Sequence, residues 1–228
     1  MYVNADFSQR VIVTPKDYAW VASPQRGVER VMLDRIGAEK ARATSLVRYA
    51  PNSVFPSHAH PAGEEILVLS GTLSEGTDDY PAGWYMRNPP GSAHQPSSAP
   101  GATIFVKLRQ MTSASALSVR IDTNDVSVWR ASPGMATCHL YEDQAEHALL
   151  MRLDGAVPVP NVCPAPHDWL VEYLVLAGEL YVDGAACPAG SWIRLPAGDS
   201  AALRAGGQGV TFYAKTYLTP SVSPEMTA

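Results

Sequence analysis

Cysteine is scarce in this chain. Only three cysteines occur among 228 residues, and all of them lie in the second half, at Cys138, Cys163 and Cys187. Disulfide frameworks and structural zinc sites need more cysteines at closer spacing. The sequence therefore excludes both, and we expect these thiols to be small buried hydrophobes or inert surface groups.

Charge and long apolar runs are also limited. Charged residues make up 17% of the chain, the formal net charge is −5, and no basic run occurs, which argues against direct binding to nucleic acid. No apolar stretch approaches the length of a membrane span, and the N-terminal segment MYVNADFSQR lacks the apolar core of a secretion signal. We therefore expect a soluble, cytoplasmic protein with no membrane partner.

Short apolar runs separated by turn residues make up most of the chain. The hydrophobic fraction of 46% excludes a disordered protein, and the 19 prolines and 17 glycines fall between apolar runs instead of forming one tract. This pattern is typical of antiparallel barrels or sandwiches, so we predict an all-β fold. In the first half, strands are predicted at residues 10–14, 28–36, 41–49, 64–70 and 102–108.

The second half repeats the first at a fixed offset. The segment LVLSG at residues 67–71 returns as LVLAG at 174–178, an offset of 107 residues, and the same offset aligns the Pro-Ala-Gly turns that follow. An ungapped repeat through turns indicates two homologous domains in tandem. We place these domains at residues 1–110 and 119–220.

Four residues of metal-binding type occur at close spacing in the first repeat. His58 and His60 occupy positions i and i+2 of a predicted strand, so both imidazoles leave the same face. Glu64 follows across a Pro-Ala-Gly turn, and His94 follows a Pro-Pro-Gly turn that can return it to the same place. Three neutral imidazoles and one carboxylate suit a first-row divalent metal ion. We therefore predict a metal site at His58, His60, Glu64 and His94.

The same residues belong to two spaced motifs. The pattern His-x-His-(x3)-Glu-(x6)-Gly is carried by His58, His60, Glu64 and Gly71. The pattern Gly-(x5)-Pro-x-Gly-(x2)-His is carried by Gly83, Pro89, Gly91 and His94, with Ser98 where the motif commonly ends in Asn. Both patterns resemble the two cupin motifs, and the segments GEEILVLSG and TIFVKLRQM are similar to the ChrR-type cupins in particular. The resemblance implies a bicupin, that is, two tandem cupin barrels of the double-stranded β-helix or jelly-roll type.

The second repeat keeps the turns and loses most of the ligands. At the offset of 107 residues, three of the four predicted ligands are replaced by Ala165, Val171 and Ala201, and the only counterpart is His167. One imidazole does not hold a metal ion with useful affinity. We therefore predict a metal-binding cupin domain at 1–110 and a degenerate cupin domain without a metal site at 119–220, in which His167 is a remnant of duplication.

Several other polar residues receive structural interpretations. His139 and His147 lie outside both motifs, and we expect them to be ordinary solvent-facing or hydrogen-bonded histidines. Glu65 adjoins a predicted ligand, but strand alternation points it away from the site, and its counterpart Glu172 persists where the ligands are lost. That persistence suggests a structural role for both, such as a salt bridge or an interface contact.

The resemblance implies functions of different classes. Some ChrR-type cupins are the sensory half of anti-sigma factors and carry a separate zinc domain with a His-x3-Cys-x2-Cys motif, which this sequence does not contain. A regulatory protein of this type would bind zinc or another ion and respond to a small molecule or oxidant. Relatives act as metal-dependent dioxygenases, which would use iron, manganese or nickel on a small diketone or phenolic ketone. A third alternative is an interaction scaffold in which the metal only joins strands.

We rank the regulatory or sensory function first and the dioxygenase second, and we assign no catalytic residue. The expected cofactor is one divalent transition metal ion, zinc or iron before nickel or manganese. The expected partner is a small-molecule ligand or substrate, and the sequence leaves a homodimer open.

Overall fold

Pairing between short strands determines the architecture. The structure, a computed structural model, describes residues 1–38, 40–112, 117–160 and 169–219. Among these residues the helical segments are two three-residue 3-10 turns, Pro15–Asp17 and Val126–Val128. None of them has the length and apolar character that crossing a membrane by a helix requires. The prediction of an all-β fold is confirmed.

The described strands are numbered in chain order. Those of the first half are β1 (Tyr2–Val3), β2 (Val11–Val13), β3 (Val21–Ala22), β4 (Val28–Ile36), β5 (Arg42–Tyr49), β6 (Ser53–Val54), β7 (His58–His60), β8 (Glu64–Glu75), β9 (Asp78–Pro81), β10 (Trp84–Asn88), β11 (Ser92–His94), β12 (Pro96–Ser98) and β13 (Ala102–Leu108). Those of the second half are β14 (Val119–Asp122), β15 (Trp129–Ser132), β16 (Met135–Glu142), β17 (Glu146–Leu153), β18 (Trp169–Val182), β19 (Ala185–Pro188), β20 (Trp192–Leu195) and β21 (Leu203–Leu218).

The described residues fall into two units, each with its own main sheet. Unit 1 comprises Met1–Ala5 and Ala19–Asn124, and unit 2 comprises Asp6–Tyr18 and the residues from Asp125 onward. The main sheet of unit 1 has the strand order β1-β4-β5-β13-β8-β10-β14, with β7 and β11 in a separate two-stranded sheet. The main sheet of unit 2 has the order β15-β16-β17-β21-β18-β20-β2. Within the described ranges each order is an open path and not a closed ring.

The two sheets repeat the same central arrangement. The order β13-β8-β10-β14 in unit 1 corresponds to β21-β18-β20-β2 in unit 2, because β8, β10 and β13 align with β18, β20 and β21 at the repeat offset of 107 residues. All strand pairs in both arrangements are antiparallel. These two β units agree with the predicted bicupin.

Two strands, β2 and β14, do not lie in the units that the predicted domain boundaries imply. The prediction puts β2 in the first domain, at 1–110, but β2 pairs with β20 in unit 2. It puts β14 in the second domain, at 119–220, but β14 pairs with β10 in unit 1 through four residue pairs. Strand pairing therefore completes each sheet with a segment from the other side of the predicted boundary.

One glycine in each unit explains why the repeated LVL-x-Gly segment ends in glycine. Gly71 and Gly178 have φ values of 70° and 73°, a region in which a side chain is strained. A Cβ atom on Gly71 would lie 1.9 Å from the carbonyl oxygen of Gly101, and one on Gly178 would lie 2.2 Å from the carbonyl oxygen of Gly209. Both positions therefore need glycine for close approach of the paired strand.

Each unit has its own apolar core. The core of unit 1 is contributed mainly by β8, β10 and β13 and includes Ile66, Val68, Met86, Ile104 and Val106. The core of unit 2 is contributed mainly by β17, β18, β20 and β21 and includes Met151, Tyr173, Val175, Ile193 and Phe212. Equivalent strands thus supply the two cores.

Buried charge pairs accompany these cores. The carboxylate of Glu65 lies 3.5 Å from the guanidinium group of Arg87, and both side chains are buried. Glu172 is opposite Arg194 in the register of β18 and β20, and its carboxylate accepts a hydrogen bond from the Tyr217 hydroxyl. Of the two structural roles considered for Glu65, a salt bridge or an interface contact, the structure shows a buried salt bridge with Arg87.

Candidate metal site in unit 1

A tight turn joins the two histidines of β7 to the first residue of β8. His58 and His60 flank Ala59, so strand alternation directs both imidazoles to one side of β7. Gly63 adopts a φ of 74°, and its N–H donates a hydrogen bond to the carbonyl oxygen of His60 at 3.1 Å. This turn positions Glu64 at the beginning of β8.

Pairing of β11 with β7 brings the fourth side chain to the same place. The two strands are antiparallel, with His94 opposite His58 and Ser92 opposite His60. Before β11, Gly91 has a φ of 84°, and its N–H also donates to the carbonyl oxygen of His60, at 2.9 Å. The backbone at His60 therefore anchors both turns, which lead to Glu64 and to His94.

The four predicted ligands converge on one point. The ring centroids of the three histidines are 4.7 to 4.9 Å apart, and one ligand atom from each of the four residues lies within 4.8 Å of the others. The Nε2 atoms of His60 and His94 lie 3.3 and 3.4 Å from Oε2 of Glu64. His60 and Glu64 are buried, whereas His58 and His94 are partly buried.

Hydrogen bonds at Nδ1 fix the tautomers of two histidines. Nδ1 of His58 lies 2.9 Å from the carbonyl oxygen of Pro56, which can only accept, so Nδ1 carries the proton. Nδ1 of His94 lies 2.5 Å from Oε1 of Glu75. Burial acts to raise the pKa of Glu75, but hydrogen bonds and charges from His94 and Arg120 outweigh burial and lower that pKa. Glu75 is therefore ionised and accepts the proton of Nδ1. In the neutral form of each ring, Nε2 is therefore the atom with a lone pair for a metal ion.

The Nε2 atoms also provide the observation that a cation would explain. Within the described part of the chain, Nε2 of His60 and Nε2 of His94 are buried and have no hydrogen-bond partner. Buried polar atoms are normally paired, because an unpaired one costs about 1–3 kcal/mol. One cation between the two rings would satisfy both nitrogen atoms.

The spacing of the donor atoms fits a single ion. Imidazole nitrogen and carboxylate oxygen bind zinc at about 2.0–2.2 Å, so neighbouring donors on one ion lie roughly 3 to 3.5 Å apart. The distances of 3.3 and 3.4 Å from the two histidine nitrogens to Glu64 fall in this range. The residues present therefore fit a transition-metal ion.

Burial sets the protonation of three of the four side chains. It lowers the pKa of His58 and lowers that of His60 to about 4, so both rings are neutral at pH 7 and able to bind metal. Burial likewise raises the pKa of Glu64, an effect that a neighbouring cation would reverse. Burial also acts to lower the pKa of His94, but the bond from Glu75 and the charges of Glu64 and Glu75 outweigh it and raise that pKa.

Three residues that the sequence analysis did not single out connect two of the ligands. Oε2 of Glu75 accepts a hydrogen bond from Nη2 of Arg120 at 3.0 Å, and the same nitrogen donates to Oδ1 of Asn88 at 2.7 Å. Nδ2 of Asn88 in turn donates to Oε2 of Glu64 at 3.0 Å. We call Glu75, Arg120 and Asn88 the ligand-support network, because it links His94 to Glu64 through side-chain bonds.

Unit 2 has apolar side chains at four of these positions. At the repeat offset Glu64 and His94 become Val171 and Ala201, which pack against the core of unit 2. Glu75 and Asn88 become Val182 and Leu195, which are members of that core. The counterparts of the other two ligands, Ala165 and His167, lie outside the described residues. The simultaneous loss of ligands and network is a sequence signal that could have identified Glu75 and Asn88.

Part of the chain matches a known family of domains. Residues 8–112 match the family described as ChrR Cupin-like domain. No curated protein matches the chain in sequence.

Solved structures share the fold over nearly the whole chain. A candidate dioxygenase from Nostoc punctiforme has a TM-score of 0.74 at 14% identity, covering 95% of this chain and 85% of that one. A candidate glyoxylate-induced protein from Pseudomonas aeruginosa has a TM-score of 0.69 at 16% identity, covering 94% and 91%. The bacterial pirin YhhW from Escherichia coli, solved in complex with nickel(II), has a TM-score of 0.61 at 10% identity, covering 93% and 100%. The chain therefore has a cupin fold, and its residues 8–112 are similar to the ChrR cupin-like domain.

Proposed function

We propose that unit 1 binds one divalent transition metal ion through His58, His60, Glu64 and His94, and that the bound ion receives a small-molecule ligand. The observation that supports this proposal is the convergence of four donor atoms within 4.8 Å. Two of these donors are buried nitrogens that have no hydrogen-bond partner in the described part of the chain.

The donor set limits the identity of the ion. Three nitrogen donors and one oxygen donor suit zinc, iron or nickel better than calcium or magnesium, and manganese remains compatible with them. We propose zinc or iron first. Three neutral imidazoles and one ionised carboxylate would leave the centre with a net charge of about +1, which favours a water or an anionic oxygen of a ligand in an open position.

A regulatory or sensory function is our first choice. The match of residues 8–112 to the ChrR cupin-like family supports it. In this function His58, His60, Glu64 and His94 would hold the ion, and a small molecule or oxidant would be sensed at its open position. The ligand-support network offers a route outward, because Arg120 lies on β14 and its bonds would respond to movement of His94 or Glu64.

A metal-dependent dioxygenase is the second candidate. Two observations favour it: His58 is only partly buried, so the site is accessible, and the fold resembles that of a candidate dioxygenase over 95% of the chain. The metal would supply Lewis acidity and a place for dioxygen chemistry. His58, His60, Glu64 and His94 would hold the ion, and the substrate would be a small diketone or phenolic ketone that chelates through two oxygens.

Metal content tests the binding proposal directly. Protein purified without an affinity tag should contain close to one transition-metal ion per chain, as measured by inductively coupled plasma mass spectrometry. His60→Ala should lose the ion that unit 1 holds while the circular dichroism spectrum stays native, because unit 2 shows that the scaffold accepts apolar residues at ligand positions. His167→Ala, which also removes one imidazole, should leave the content unchanged. Equal metal content in wild type and His60→Ala would refute the proposal.

Oxygen consumption separates the two candidate functions. The iron-loaded protein is mixed with an acetylacetone-like diketone, and oxygen uptake is followed with an electrode. Uptake that depends on His60 would favour the enzyme, whereas one tightly held zinc ion with no exchangeable ligand would disfavour it.

A further inference from the structure

A second group of metal-binding side chains lies on the surface of unit 2. His139 and Glu142 on β16 and His147 on β17 each offer one ligand atom, and these atoms all lie within 4.8 Å of one another. The rings of the two histidines have centroids 5.2 Å apart, and Nε2 of His139 lies 3.4 Å from Oε2 of Glu142. We call these three residues the surface cluster.

A β-bulge brings the two residues of β16 to one face. In a regular strand, residues three apart in sequence project to opposite faces. Between His139 and Tyr141 the register with β17 shifts, because two steps along β16 match one step along β17. The extra residue reverses the alternation, so His139 and Glu142 are both exposed while Leu140 is buried.

Strand register supplies the third residue. Glu142 is directly opposite His147 in the antiparallel pair of β16 and β17. Directly opposed side chains lie on the same face of a sheet, about 4.5–5.5 Å apart at Cβ. The backbone of two paired strands therefore fixes the positions of all three side chains.

The chemistry of the surface cluster suits a borderline metal ion. Two imidazoles and one carboxylate are donors for copper, nickel and zinc. Burial lowers the pKa of His147, which keeps that ring neutral at pH 7 and ready to bind. His139 and Glu142 have side-chain exposures of 53% and 66%, so an ion from solution reaches them directly.

We propose that His139, Glu142 and His147 form a second metal site, in which a divalent copper, nickel or zinc ion is held by three side chains and water completes its coordination. The site differs from that of unit 1 in its residues, its strands and its exposure. It lies in the unit whose described counterparts of the first site, Val171 and Ala201, carry no ligand atoms. The alternative is a simple surface ion pair between His139 and Glu142.

Stoichiometric titration tests this proposal. Metal-depleted protein at about pH 8, where unperturbed histidines are neutral, is titrated with Cu²⁺, Ni²⁺ or Zn²⁺ and the bound equivalents are counted after equilibrium dialysis. Wild type should bind one more metal ion per chain than either the His139→Ala or the His147→Ala variant. Glu142→Gln should lower the affinity for this additional metal ion at least tenfold. Cu²⁺ should bind more tightly than Ni²⁺ or Zn²⁺.

Two further variants make the result specific. His60→Ala disables the unit 1 site and should retain the surface equivalent, which His147→Ala should then remove; this outcome does not depend on whether the unit 1 proposal holds. His167→Ala serves as the matched control and should lose nothing. In the His60→Ala protein, the paramagnetic resonance spectrum of bound Cu²⁺ should show coupling to two nitrogens. An equivalent that survives both surface histidine changes, or that never appears, would overturn the proposal.

Discussion

Replacing Glu75 by glutamine tests whether the ligand-support network tunes the metal site. Glu75 accepts hydrogen bonds from Nδ1 of His94 on one oxygen and from Arg120 on the other. Glutamine keeps the shape but has only one acceptor oxygen. If that oxygen faces His94, the amide group faces the guanidinium group of Arg120, donor against donor, so one of the two bonds is lost in either orientation.

The expected magnitude follows from the bonds involved. A hydrogen bond to a charged group contributes about 1.5–3 kcal/mol, and loss of a carboxylate that orients a metal-binding histidine typically lowers metal affinity about 10–100-fold. Removing the negative charge has an opposing effect, because the pKa of His94 falls and fewer protons compete with the metal. At about pH 8 that competition is weak, so we expect the loss of orientation to dominate.

Competition with a chromophoric zinc chelator measures the effect. The Glu75→Gln protein should bind zinc about 10–100-fold more weakly than wild type at pH 8, and the deficit should narrow as the pH falls. Glu29→Gln is the matched control, because Glu29 is an exposed carboxylate bonded to Arg48 in the same unit. An affinity for Glu75→Gln within about twofold of the control would refute the view that the network supports the site.

Two other predictions concern the fold and protonation. Gly71→Ala should destabilise the protein by about 2–5 kcal/mol, through left-handed strain plus the collision with the Gly101 carbonyl. Gly76→Ala shares the positive φ but has open space, so it should cost about 1–2 kcal/mol; equal urea-unfolding curves for the two variants would contradict the collision. Zinc occupancy should fall as pH is lowered from 8 to 5, because His94, whose pKa is raised, takes up a proton that the metal must displace. Dialysis that shows constant occupancy across this range would contradict that role.

The convergence of the four donor side chains could be predicted from sequence because their positions depend on short segments. Strand alternation within β7 fixes His58 and His60, and single turns fix Glu64 and His94 relative to them. Strands β4 and β13 likewise coincide with the predicted ranges, since apolar runs and flanking turn residues define their ends.

One strand is longer than predicted for a specific reason. The prediction ended the strand at residue 70, before Gly71, whereas β8 continues to Glu75. The register with β13 shifts between Val68 and Ser70, and Gly71, with a φ of 70°, still pairs with Ala102, so the pairing continues past this glycine. A glycine therefore lies here within a strand, which composition alone does not distinguish from an end.

The ligand-support network could not be predicted from local sequence patterns. Arg120 lies on β14, outside the two motifs, and reaches the site only because β14 pairs with β10. Non-local pairing of this kind has no signature in the residues around Arg120. The surface cluster could not be predicted for a similar reason. It depends on a β-bulge that brings His139 and Glu142 to the same face of the sheet, where regular alternation would place them on opposite faces.

The pairing of β14 with β10 determines where a fragment that contains unit 1 should end. A fragment that stops at residue 110 would carry all four donor side chains yet leave the edge of β10 bare and deprive Glu75 and Asn88 of their shared arginine. It would also carry β2, whose pairing strand β20 would be absent. A shorter protein built on unit 1 should instead extend through Asn124 and omit Asp6–Tyr18, the segment that belongs to unit 2.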